Sequence, residues 1–191
     1  ASLRKKYGIS TGDTRIAVEN ADVVVLAVKP AMIRGVLDAV GDAIPAEALV
    51  ISVAAGITTE VLEVGVPDGV AVVRAMPNTP ALVGQGMTVL SAGRNCSTDQ
   101  LEQAQELLES VGRVAVVPES QQDAVTALSG SGPAYVFFVV EAMIDAAIAL
   151  GLEPETAREL AVQTAYGAAT MLRETGDDPI ELRENVTSPG G

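Results

Sequence analysis

The sequence predicts an α/β domain followed by an all-α domain. Up to about Pro118, short β-branched runs alternate with helical stretches, and beyond it the pattern is helical almost throughout. The first strand candidates are also near-continuous apolar runs, as expected of strands covered on both faces.

Strands are predicted at Asp22–Val28, Leu49–Val53, Val70–Ala75, Met87–Ser91 and Val114–Val117. Helices are predicted between them from Pro30 to about Ala43, from Thr58 to Val64 and from Thr98 to Val111. Pro30 suits a first helical position, and Ser97 with Gln100 makes a capping box for the third helix. This alternation implies a parallel sheet with crossover helices.

The opening residues read as the end of a helix, with Arg4, Lys5 and Lys6 in its last turn and Gly8 as its left-handed stop. A doubly wound nucleotide domain opens with a strand, a Gly-rich turn and a helix. No G-x-G-x-x-G occurs, so the first βαβ unit is expected to be missing. Helices are predicted in the second part at Gln121–Leu128, Pro133–Leu150, Pro154–Thr175 and Pro179–Asn185. Pro133–Leu150 is very apolar but carries Glu141 and Asp145 one turn apart. It is read as a helix almost wholly buried except for one acidic stripe, and not as a membrane span.

The 48% hydrophobic and 19% charged content describes a foldable globular chain, and with 3% aromatic residues its core should be aliphatic. A net charge of −13 repels phosphate backbones and anionic lipid, which argues against nucleic-acid and membrane partners. It does not argue against a nucleotide pocket, because local amides and a few cations can face an anionic cofactor. Cys96 is the single cysteine, so no intrachain disulfide forms and a cytoplasmic location is expected. With no His and no second Cys, neither zinc binding nor an activated thiol is expected.

Nucleotides bind outside the carboxyl ends of parallel strands. Three successive strands end in Ala27-Val28-Lys29-Pro30, Ser52-Val53-Ala54-Ala55-Gly56 and Met76-Pro77-Asn78-Thr79-Pro80. Small or rigid residues there let backbone approach a ligand, while Lys29 offers a cation and Asn78 an amide. Each signal alone is weak, and a strand-end lysine is as readily a solvated one; three loops on one edge point to a pocket. Ser129-Gly130-Ser131-Gly132-Pro133 reads equally as an anion-binding helix start or as glycines that let backbones pack. Glu119, at the change of texture, reads by itself as a solvated carboxylate.

Five strings carry a resemblance: AVKP at Ala27–Pro30, AAG at Ala54–Gly56, MPNTP at Met76–Pro80, SGSGPAY at Ser129–Tyr135 and ENVTSPGG at Glu184–Gly191. In this order and spacing they resemble the pyrroline-5-carboxylate reductase family across essentially the whole chain. The resemblance implies an incomplete Rossmann-type doubly wound parallel sheet over residues 1–119, binding NADPH or NADH. It implies a helical dimerisation and substrate domain over residues 120–191, like the C-terminal domain of 6-phosphogluconate dehydrogenase. The implied reaction reduces 1-pyrroline-5-carboxylate to L-proline, the last step of proline biosynthesis. The implied assembly is a homodimer through the helical domain, with higher oligomers open.

By position, the resemblance places Ala27, Val28, Lys29, Pro30, Val53, Ala54 and Ala55 around the cofactor's ribose and nicotinamide. Thr14 matches another cofactor contact loosely, Asn78 shapes the nicotinamide side, and Asn185 reaches the cofactor from the helical domain. Ser131, Ser188, Gly190 and Gly191 surround the substrate carboxylate, and Glu119 lies near the ring nitrogen. No residue is assigned to catalysis or to a metal. The family's Gly-rich phosphate turn, its adenosine-phosphate loop and the Thr after S-P-G-G are not in this sequence. A polypeptide ending with it is expected to show no useful catalysis.

The residue inventory agrees with an imine substrate. Reduction of a carbonyl needs a proton donor, usually His or Lys. The chain has no His, and its lysines, Lys5, Lys6 and Lys29, all lie in the first domain. An imine protonated from solution already carries its charge and needs mainly orientation and a clamp for its carboxylate. Two alternatives stand beside this reading: a related two-domain NADP-dependent reductase of another imine or oxoacid, and a non-catalytic dimeric fragment.

Overall fold

The strands β1 (Val23–Leu26), β2 (Leu49–Ser52) and β3 (Ala71–Met76) form the parallel half of a five-stranded sheet ordered β1-β2-β3-β4-β5. The structure is a computed structural model, and it describes residues 2–188. Its residues group into two compact units divided after Pro133.

β4 (Gly86–Ala92) runs antiparallel to β3, and β5 (Gly112–Val116) is parallel to β4. The expected parallel sheet is therefore parallel in three of its four strand pairings, with β4 reversed against β3. The cause is the link between β3 and β4, residues 77–85, which holds only a 3-10 turn at Thr79–Val83. A parallel return needs a crossover of a dozen residues or more, and this link reverses the chain instead.

Helices cover both sheet faces. On one, Val24, Leu26, Val50, Val70 and Val72 pack with Ile33, Leu37 and Val40 of α3 (Ile33–Val40) and Leu62 of α4 (Thr59–Val64). On the other, Leu49, Ile51, Ala71, Val73, Ala75 and Leu90 pack with Ala104 of α5 (Thr98–Glu109). Burying each such Leu or Ile is worth about 1.5–3 kcal/mol, so this aliphatic sandwich is the main core of the first unit. The ends of α3 and α4 approach so closely that a Cβ on Gly41 would run into the Gly65 carbonyl.

Local signals set the helix ends. Pro30–Met32 forms a 3-10 turn leading into α3, and Ser97 and Gln100 complete the capping box of α5. Ahead of the sheet, α1 (Ser2–Tyr7) stops at Gly8, whose φ is +67°, and α2 (Thr14–Val18) is capped by Asp13.

After β5 the chain enters a 3-10 turn at Glu119–Gln121, α6 (Gln122–Val125) and a π-type turn at Thr126–Gly130, then α7 (Gly132–Ala149). The glycine-rich stretch expected to open a helix is thus a turn inside one continuous helical run, residues 119–149. Thr126 and Ser129 hydroxyls donate to the carbonyls of Gln122 and Val125, and the Ser131 amide reaches back five residues to Thr126 at 2.8 Å. Such side-chain competition loosens the regular ladder without ending it.

The second unit holds most of α7, α8 (Pro154–Thr175) and α9 (Pro179–Asn185). Among its described residues only Ala157 and Ala161 are buried. In the single chain the burial expected for α7 is not met: Tyr135, Phe137, Phe138 and Met143 are exposed, because α7 presents more apolar surface than α8 and α9 can cover. By length and composition alone, the run 119–149 is apolar enough to cross a membrane. An apolar face this large on a unit with almost no core of its own marks an interaction surface.

Candidate active site

The strand directions decide where a site forms. β1, β2 and β3 are adjacent and mutually parallel, so the loops after them leave the sheet at one edge. The structure thereby brings together residues 27–30, 53–56 and 77–80, as the sequence predicts. Ala27, Lys29 and Pro30 are exposed, Val28 and Val53 are half-buried, Ala54 is buried, and Ala55 is exposed at the tip of its turn. Ala54 is fixed by its amide, which donates to the Ser52 hydroxyl at 3.3 Å. Gly56 takes φ +75° with open space where a side chain would stand. Small side chains and an open glycine at the ends of three parallel strands suit the close approach of a dinucleotide.

Asn78 is held tightly. Its Nδ2 donates to the Ser129 carbonyl at 2.9 Å, and its Oδ1 accepts from the Met87 amide at 2.9 Å. One side chain therefore joins the third loop, the start of β4 and the π-type turn. Gly130 completes that junction, since a Cβ there would lie 2.5 Å from Met76 Cε. Close packing, rather than an open helix start, accounts for this glycine.

Glu119 is not simply solvated. Its Oε1 accepts from the Thr59 amide at 2.7 Å, its Oε2 accepts from the Thr59 hydroxyl, and Arg74 Nη1 donates to Oε1 at 3.3 Å. The Arg74 side chain is only 5% exposed and that of Glu119 28%. Burial pushes the Glu119 carboxyl upward, but the Thr59 bonds and the Arg74 guanidinium outweigh it and hold the carboxyl below its ordinary value. Beside this pair Gln122 is fully buried, its Nε2 donating to Ser91 Oγ at 2.8 Å and to the Val89 carbonyl at 3.3 Å. Gln122 Oε1 has no hydrogen-bond partner among the described residues.

The remaining predicted residues lie elsewhere. Thr14 starts α2, and the next residue, Arg15, bonds Asp42 and the Ala39 carbonyl at the C-terminal end of α3, away from Lys29 and Pro30. The structure does not bring Thr14 together with the three loops. Ser131 is exposed at the start of α7. Asn185 ends α9 in the second unit, with exposed Ser188 just beyond it. Gly190 and Gly191 lie outside the described residues. Thr59, Arg74 and Gln122 are not predicted from the sequence motifs. Of these only Arg74 carries a signal, as a charge inside an apolar strand that has to find an anion.

A doubly covered sheet with three such loops at one edge, followed by a helical unit, defines a dinucleotide-dependent oxidoreductase. Two family models match, one described as "NADP oxidoreductase coenzyme F420-dependent" over residues 1–56 and one as "Pyrroline-5-carboxylate reductase dimerisation" over residues 119–191. The chain is 49% identical to the pyrroline-5-carboxylate reductase of Corynebacterium melassecola, covering 99% of itself and 72% of that protein. It is 44% identical to the enzyme of the same name from Methanosarcina acetivorans, covering 99% of itself and 70% of that protein. The solved pyrroline-5-carboxylate reductase of Coxiella burnetii superposes with a TM-score of 0.91 at 45% identity, covering 99% of this chain and 71% of that one. The Plasmodium falciparum enzyme, solved with NADP bound, gives 0.87 at 31% identity, covering 95% and 69%. The chain belongs to the pyrroline-5-carboxylate reductase family.

Proposed function

We propose that the protein reduces 1-pyrroline-5-carboxylate to L-proline with NADPH or NADH, acting as a homodimer in the cytoplasm without membrane or nucleic-acid partners. The observation that carries this reading is the convergence of the loops after β1, β2 and β3 in a chain of this family.

Residues Ala27–Pro30 and Val53–Ala55 would hold the ribose and nicotinamide, with Asn78 fixing the third loop beside them. When bound, the nicotinamide supplies a hydride to the imine carbon. The chain's own groups orient the substrate and exclude water. Lys29 offers a cation at the loop edge. Ser131 and Ser188 offer hydroxyls for the substrate carboxylate, with Gly190 and Gly191 completing that clamp. Glu119, kept ionised by Thr59 and Arg74, is the anion we assign to the protonated ring nitrogen. Asn185 would reach the cofactor from the helical domain, and Thr14 is the loosest assignment of the set. The described residues 134–188, with only two buried alanines, need a second copy to cover α7.

The test is imine-dependent oxidation of NADPH by the purified enzyme. Turnover with 1-pyrroline-5-carboxylate supports the assignment. Turnover with oxoacids alone by a folded dimer would replace it with the related-reductase alternative.

A further inference from the structure

We propose that Arg74 is a positioning residue for the dinucleotide: acting through Glu119 and Thr59, it fastens the Val53–Thr58 loop to the sheet. The inference concerns dinucleotide affinity and goes beyond the assignment of the substrate.

Arg74 lies inside β3, paired with Ser52 of β2 and Ser91 of β4, and is 4% exposed. It is the one ion-pair partner of Glu119 among the described residues. Glu119 in turn binds both the amide and the hydroxyl of Thr59, the first residue of α4. Thr59 immediately follows the Val53–Thr58 loop, one of the three at the site edge. Inside that loop the Ala54 amide rests on Ser52, and the Ile57 amide bonds the Ala54 carbonyl at 3.4 Å. Its near end is thus tied to β2, and the hydrogen-bonded tie of its far end to β3 runs through Glu119, beside the packing of Leu62 against the sheet. A carboxylate that bridges elements 45 and 60 residues away in sequence acts as a strut. Cutting it removes the polar tie at one end of the loop without touching any dinucleotide contact.

The experiment measures the NADPH dissociation constant, from the dinucleotide's own fluorescence, for wild type, Arg74→Met, Arg74→Lys, Glu119→Gln and Thr59→Ala. Circular dichroism confirms folding, and sedimentation the assembly. Arg74→Met and Glu119→Gln are expected to weaken NADPH at least fivefold, with Arg74→Lys in between. The Arg74→Met/Glu119→Gln double variant should be no worse than the poorer single one, because both cut one strut. A purely structural role lowers the melting temperature but leaves NADPH affinity of the folded protein unchanged, and that result would overturn the proposal. If Arg74→Met does not fold, unchanged affinity in Thr59→Ala and Glu119→Gln overturns it equally. A wild type that binds NADPH with this sensitivity but never turns over the imine would sink the substrate assignment and leave the strut standing.

Discussion

Asn78 donates from Nδ2 to the carbonyl of Ser129 at 2.9 Å, a bond that spans 51 residues and pins the glycine-rich π-type turn to the end of β3. Its other amide atom accepts from Met87, so both halves of the side chain are engaged. Asn78→Asp keeps the acceptor but sets a carboxylate against a carbonyl. It is expected to cost about 1–3 kcal/mol, with Asn78→Ala in the same range. Urea unfolding followed by circular dichroism measures both, and a loss below about 0.5 kcal/mol for each would show the bond to be incidental.

Two glycines should respond differently to a methyl group. Gly41→Ala would drive its Cβ into the Gly65 backbone carbonyl, whereas Gly130→Ala would meet Met76 Cε, the free end of a flexible side chain. Overpacking usually costs about 1–3 kcal/mol. Gly41→Ala is expected at or above the top of that range and Gly130→Ala near the bottom. Replacing Met76 by Ala should relieve the strain of Gly130→Ala and do nothing for Gly41→Ala. Melting temperatures of the four variants decide.

The start of α5 offers a control remote from the site. Ser97 Oγ accepts from the Gln100 amide at 3.2 Å, and the Gln100 side chain accepts from the Ser97 amide at 3.0 Å. Ser97→Ala should lower stability by about 1 kcal/mol with catalysis unchanged. Activity falling in step with stability would show that α5 matters to the site.

The Glu119 network carries a pH signature. Its carboxyl titrates below its ordinary value in the folded protein, so the ionised form favours the native state. That contribution is fully present above the unfolded carboxyl value of about 4.3 and is lost as pH falls through the lower folded value. The stability difference between wild type and Glu119→Gln should therefore be constant near neutrality and shrink on acidification. Urea midpoints at a series of pH values measure it. A difference that grows toward acid would reverse the sign and exclude this account.

The apolar surface of α7 predicts its own mutational behaviour. Phe137 and Phe138 are 64% and 69% exposed in the single chain. Replacing both with Glu should abolish the dimer in sedimentation while leaving the first unit's unfolding transition in place. An intact dimer would assign the interface to other residues.

Much of this was legible in the sequence, for identifiable reasons. The predicted helix from Pro30 to about Ala43 appears as two 3-10 turns flanking α3, with Pro30 at its first position, because proline and the apolar spacing are local signals. The capping box at Ser97 and the stop at Gly8 are local too. The direction of β4 was not legible, because alternation of apolar residues carries no sense of direction; only the short link 77–85 hinted at a reversal. Ser129 to Pro133 looked like a break because glycines usually mark one, whereas the Ser131 amide's bond back to the Thr126 carbonyl carries the helix through. The Arg74–Glu119 pair was hidden by its separation of 45 residues, which no local pattern records.

The reversal at β4 also shapes the electric field of the first unit. α5 follows β4, so it begins at the opposite edge of the sheet from α3 and α4. Aligned peptide dipoles leave each helix start partly positive. The α5 start is therefore turned away from the loops after β1, β2 and β3, and the α4 start is already answered by the Glu119 carboxylate on the Thr59 amide. α3 is entered through the Pro30–Met32 turn just after Lys29, so on the side of these loops the lysine and the α3 start lie together at one corner of the sheet.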